Sequence, residues 1–141
     1  MIDDWTFVDT NILVYAYDIS AEEKQKTAAR IVTGLWATGK GIISTQVLQE
    51  FYVTVVQKIP NPIEEDKASD IIRDMLKWKL VVNDGLTILE AIKIQKRFLL
   101  SFWDSLIVEA AIIGGASILL TEDLTNQQTI ETVQIKNPFL D

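Results

Sequence analysis

The stretch FVDTNILVYA, Phe7 to Ala16, decides how the rest of the chain is read. A short apolar run, Phe7-Val8, stops at Asp9, and a helix-like pattern begins at Thr10. This reads as a buried strand, Trp5 to Val8, turning directly into a helix, Thr10 to Tyr17. Asp, Thr and Asn all open helices well, because a side-chain oxygen takes up a free backbone N–H of the first turn. Capping alone therefore accounts for Asp9. A position just beyond a strand end is also where an α/β sheet carries its ligand chemistry, so the remaining sequence has to separate the two readings.

Outward from that junction, strand and helix patterns alternate. Ser20-x-x-Glu23 has the form of a capping box and predicts a helix to about Thr38, ended by Gly39-Lys40-Gly41. Gly41 to Ser44, GIIS, reads as a second strand, and Thr45 to Lys58 as a helix stopped by Pro60 and Pro62. Ile63 to Trp78 is helical by spacing, KLVVND (Lys79 to Asp84) is a third strand, and Leu86 to Phe98 is a further helix. Ser101 or Phe102 opens a helix reaching Gly114-Gly115. SILLT, Ser117 to Thr121, is a fourth strand and ETVQI, Glu131 to Ile135, a fifth. Short strands separated by helices predict an α/β domain with a parallel sheet, spanning residues 1–141 as one unit.

Composition narrows the chemistry. Apolar residues make up 48% of the 141 and charged residues 23%, enough to form a core. No apolar run approaches the roughly 18–20 residues of a membrane span, and the start, MIDDWTF, is acidic where a signal peptide is basic. The expectation is a soluble, cytoplasmic protein. There is no Cys and no His. That removes thiolate chemistry, the commonest general base and the usual zinc ligands, leaving carboxylates, hydroxyls, Lys, Arg or a hard metal ion. The net charge of −7 argues against passive nucleic-acid binding by a basic surface.

Four acids recur at telling places. Asp9 and Asp123 each follow a predicted strand. Glu50 shares a helix face with Val47, Phe51 and Thr54, and Asp104 shares one with Ile107, Val108 and Ala111, beside an apolar stripe that includes Trp103. Each also has a structural reading: Asp9 as a cap, Asp104 as the acid of a capping box with Ser101, Glu50 as a boundary residue, Asp123 as a turn residue. The joint pattern outweighs the single ones. Four carboxylates in one pocket repel each other, and a divalent cation removes that cost. All-oxygen ligation suits Mg²⁺ or Mn²⁺, and such an ion activates water and clamps a phosphoryl oxygen.

With these motifs in place, FVDTNILVYA resembles the first motif of PIN domains, in particular the VapC-like toxin ribonucleases of prokaryotic toxin–antitoxin pairs. The similarity continues in ISTQVLQEFY, FWDSLIVEAA and ILLTEDL, and in the closing NPF (Asn137 to Phe139). The resemblance implies a three-layer α/β/α fold with a short, mostly parallel sheet of about five strands. It implies Mg²⁺- or Mn²⁺-dependent cleavage of single-stranded RNA, with the acidic quartet on Asp9, Glu50, Asp104 and Asp123. Asp9 and Asp104 are expected as direct metal ligands, and Glu50 and Asp123 as groups that hold the ion through water or orient the attacking water. Asn11, Ser44 and Thr121 are the supporting polar residues. A homodimer and a cognate antitoxin are the implied partners.

Several points stay open. Glu122 adjoins Asp123 and competes for the fourth acidic role. Glu109, one turn beyond Asp104, is expected to face solvent. Lys24, Lys26, Arg30, Lys58 and the cluster Lys93, Lys96, Arg97 are the basic residues available to RNA. Trp36, Tyr52 and Trp78 are expected in the core or at interfaces. Two other functions compete: a phosphatase with Asp9 as nucleophile, which wants a second acid where Asn11 stands, and a catalytically retired PIN-like protein-interaction module.

Overall fold

The computed structural model describes residues 4–140. Its sheet has six strands: β1 (Thr6–Val8), β2 (Gly41–Ser44), β3 (Lys79–Val81), β4 (Ile118–Leu120), β5 (Thr129–Ile130) and β6 (Val133–Lys136). The order is β3-β2-β1-β4-β6-β5, parallel throughout except for β5 against β6. The helices are α1 (Thr10–Tyr17), α2 (Glu23–Thr38), α3 (Thr45–Gln57), α4 (Glu65–Met75), α5 (Gly85–Phe98) and α6 (Phe102–Ile113). The mostly parallel sheet flanked by helices is the expected architecture. It holds one strand more than expected, because the residues before ETVQI fold back into a two-residue hairpin partner.

Central strands are apolar on both sides because helices cover both faces. All of Thr6, Phe7, Val8, Gly41, Ile42, Ile43 and Ser44 are buried. Alternation along β2 shows which helix covers which face. A Cβ on Gly41 would collide with the Trp78 ring, which itself packs edge-to-face on Trp36 of α2, centroids 5.7 Å apart. One residue on, the Ile42 side chain meets Gly114 at the end of α6. Gly41→Ala is expected to cost about 1–3 kcal/mol through overpacking against a buried indole, seen as a lowered thermal midpoint.

Three expectations are corrected. Ser20 and Glu23 do not form a capping box. Asp18 instead caps a single 3₁₀ turn, Ile19–Ala21, accepting from Ser20 N at 3.0 Å, and the chain enters α2 through Glu22 in a positive-φ conformation. Asp18 outcompetes Ser20 because it can bond both the N–H and the hydroxyl of that residue. Glu109 does not face solvent: it is only 8% exposed. Residues 105–111 of α6 are buried on every side, so this helix lacks the solvent face that an amphipathic reading assigns to it. Trp103, placed with the apolar stripe by sequence, is instead 63% exposed.

Candidate active site

The sheet runs outward through β1, β2 and β3, then returns to place β4 on the other side of β1. This reversal leaves a crevice at the carboxyl ends of β1 and β4, the position where open α/β sheets bind ligands. Asp9 follows β1 directly, and Thr121 and Asp123 follow β4. Glu50 comes in on α3, which starts immediately after β2, and Asp104 on the first turn of α6.

Asp9 caps α1 and also reaches across to the end of β4. Its Oδ1 accepts from Thr10 N at 2.7 Å and starts α1, while its Oδ2 accepts from the Thr121 hydroxyl at 2.7 Å. The residue is 5% exposed. Burial pushes its carboxyl up to about 7, the two hydrogen bonds pull against that rise, and the charges of Asp123 and Glu50 add to it. Asp104, half-buried, is likewise raised by burial, opposed by Ser101 and reinforced by Asp123 and Glu50. Ser101 Oγ caps α6 by accepting from Asp104 N at 3.1 Å. The charges of Glu50 and Asp123 thus act on both Asp9 and Asp104.

Neutral donors separate and orient them. Asn11 Nδ2 donates to Asp123 Oδ2 at 2.8 Å and more weakly to Thr121 Oγ1 at 3.4 Å, and Asp123 N donates to the same hydroxyl at 3.1 Å. Thr121 therefore joins Asp9 to Asp123. Ser44 Oγ accepts from Val47 N at 3.3 Å and fixes the start of α3. Glu122 turns the other way, accepting from Tyr15 Oη and from Lys24 Nζ, which leaves Asp123 beside Asn11.

Two residues of this network were not singled out from sequence. The Thr10 hydroxyl donates to Glu50 Oε1 at 2.7 Å; its place next to Asp9 looked like capping and nothing else. Gln46 Nε2 donates to Glu50 Oε2 at 3.4 Å and to the Trp103 carbonyl at 3.3 Å. Gln46 lies one turn before Glu50 on α3, a spacing that signals contact.

The donor set suits a hard divalent cation. Every candidate ligand is an oxygen, and Asn11 Oδ1 is buried with no hydrogen-bond partner. Among the described residues, no ion pair includes Asp9, Glu50, Asp104 or Asp123. Nor do any three acids among them stand grouped to hold an ion as placed. Asp9, Glu50 and Asp123 instead place oxygens on Thr121, Thr10 and Asn11.

From Glu50 and Asp123 a cleft of about 730 Å³ runs between α1 and α3 to Lys58, lined by Val14, Val53 and Ile59. The basic cluster on α5 lies elsewhere. Lys93 pairs with Glu90 and Arg97 with Glu131, around a separate pocket that also holds Glu109. Among the described residues, no helix is long and apolar enough to cross a membrane.

Fold and site together define an α/β protein with an acidic pocket at the switch point of a parallel sheet. The model of the PIN domain family matches residues 6–129, and the chain belongs to that family. No curated protein matches its sequence. Among solved structures, one resembling it is a toxin–antitoxin complex from Klebsiella pneumoniae, with TM-score 0.69 and 14% identity over 95% of this chain and 98% of the other. Mycobacterium tuberculosis VapC20, described as a Sarcin-Ricin loop cleaving toxin, gives 0.63 and 19% over 81% and 86%. VapBC2 from Rickettsia felis, bound to a fragment of its promoter DNA, gives 0.63 and 18% over 94% and 97%. At these identities the likeness is one of fold.

Proposed function

We propose that this chain is a divalent-metal-dependent endoribonuclease cutting single-stranded RNA, and the toxin of a toxin–antitoxin pair. One observation carries the nuclease reading. Asp9 and Asp104 each feel the charges of Glu50 and Asp123, acids brought from separate segments towards one end of the sheet, and no ion pair among the described residues neutralises any of the four. Membership of the PIN family supports it. The toxin reading draws on the likeness to a ribosomal-loop-cleaving toxin and to two toxin–antitoxin assemblies. By the same likeness an antitoxin is its partner; a second copy of the chain and a cytoplasmic location belong to the reading through the family resemblance.

In this reading Asp9 and Asp104 hold Mg²⁺ or Mn²⁺ directly, and Glu50 and Asp123 hold it through water or orient the attacking water. The ion, when bound, lowers the pKa of water and stabilises charge on the phosphoryl oxygens. Thr121 fixes the Asp9 carboxylate, Asn11 fixes Asp123, Thr10 fixes Glu50, and Ser44 sets the helix that carries Glu50. The aspartate-nucleophile alternative has no second acid two residues after Asp9, because the Asn11 amide there donates to Asp123.

The test is incubation of the purified protein with single-stranded RNA in EDTA and in Mn²⁺. Cleavage is expected only with the metal. Intact RNA under both conditions, across varied sequences, would overturn the reading in favour of a retired interaction module.

A further inference from the structure

Resting on the nuclease reading, we infer that Trp103 is a stacking platform for an unstacked base of the RNA beside the scissile phosphate. Trp103 immediately precedes Asp104 and is 63% exposed, while the seven residues after Asp104 are all buried. A large apolar ring left in water on the residue that precedes Asp104 has no part in the core. It is also held in place. The Phe102 ring packs against it edge-to-face, centroids 5.3 Å apart at 73°. Its carbonyl accepts from Gln46 Nε2, the same amide that donates to Glu50 Oε2. One side chain therefore ties the Trp103 backbone to a proposed catalytic acid.

A contribution to RNA binding that needs no positive charge suits this chain. The chain carries 13 basic against 20 acidic residues, and Lys24, Lys93 and Arg97 are each paired with a glutamate. Phosphate contacts, which dominate most nucleic-acid binding, are correspondingly few. Stacking of a base on an aromatic ring contributes without charge and without sequence preference. It requires a base free of its neighbours, which single strands and loops offer and a continuous duplex does not. The substrate class is therefore RNA with an unpaired, unstacked nucleotide at the cleavage site.

The test is steady-state cleavage of a single-stranded RNA in Mn²⁺ by the wild type, Trp103→Phe and Trp103→Ala. For Trp103→Ala, KM is expected to rise about 5- to 50-fold, with a smaller effect on kcat. Trp103→Phe is expected to restore most of the loss, and an abasic nucleotide beside the cleaved bond to remove the difference between variants. Unchanged thermal midpoints exclude a folding defect. If the wild type cuts RNA and Trp103→Ala cuts it with the same KM, the platform is refuted while the nuclease reading stands. If Trp103→Ala changes the oligomeric mass in light scattering with KM unchanged, the indole is a protein contact and the inference falls. Absence of cleavage by the wild type removes the nuclease reading itself.

Discussion

Asp9→Asn is expected to abolish RNA cleavage, lowering the rate by about 10³-fold or more, and at neutral pH to make the metal-free protein more stable. The two effects have one cause. The carboxylate sits in a buried position that favours its neutral form, with two more acids nearby. A site that holds a cation needs the charged form there, and losing a directly bound ligand removes several kcal/mol of charge stabilisation. Asparagine keeps the shape and remains a good cap for α1, so the fold is retained. The pH dependence gives the sign. Folding raises the Asp9 pKa from 3.8 to about 7, so the folded state binds the proton more tightly than the unfolded state. The stability associated with that proton is fully present below pH 4 and is lost as pH rises through 7. Each tenfold change in proton affinity is worth about 1.4 kcal/mol. The advantage of Asp9→Asn over the wild type in EDTA therefore grows from near zero at pH 4 to a few kcal/mol at pH 8. Chemical denaturation at both values measures it. Cleavage near the wild-type rate, or a stability difference flat in pH, would refute the assignment of Asp9.

The sequence exposed the elements more readily than the network between them. Thr10–Tyr17 and Gly41–Ser44 were delimited without error because apolar runs there end abruptly at a capping residue or a glycine. The paired residues 129–130 escaped because two residues have no periodicity to read. Glu109 and Trp103 depart from the sequence reading in opposite directions, because Trp103 stands in the first turn of α6, before its enclosed part, and Glu109 within that part. Helical spacing gives a face only when one side meets solvent, and α6 is enclosed along most of its length. The acids were legible as strand-end and helix-start positions. Gln46 stands at a local i,i+4 spacing from Glu50, but the Thr10–Glu50 and Gln46–Trp103 bonds join segments 40 and 57 residues apart in sequence. No local pattern encodes those.

Addition of Mn²⁺ or Mg²⁺ is expected to raise the thermal midpoint by about 5–10 °C. An ion that binds only the native state stabilises it by about 2.7 kcal/mol at a concentration a hundred times its dissociation constant, and each kcal/mol moves the midpoint of a chain this size by about 2–4 °C. The stabilisation here has a particular source. Thr10, Asn11 and Thr121 hold the carboxylates of Glu50, Asp123 and Asp9, and burial, reinforced by the charges of Asp123 and Glu50, raises the pKa of Asp9 and Asp104. Binding of the ion must therefore expel protons, chiefly from Asp9, so that affinity increases between pH 5 and pH 8 and protons are released on titration below neutrality. Calorimetry in two buffers of different ionisation enthalpy counts them. The shift in midpoint should be larger at pH 8 than at pH 5, and should nearly vanish in Asp9→Asn. An equal shift in that variant would assign the ion to the acidic surface at large, and no shift at millimolar Mn²⁺ would remove the metal from the proposed site.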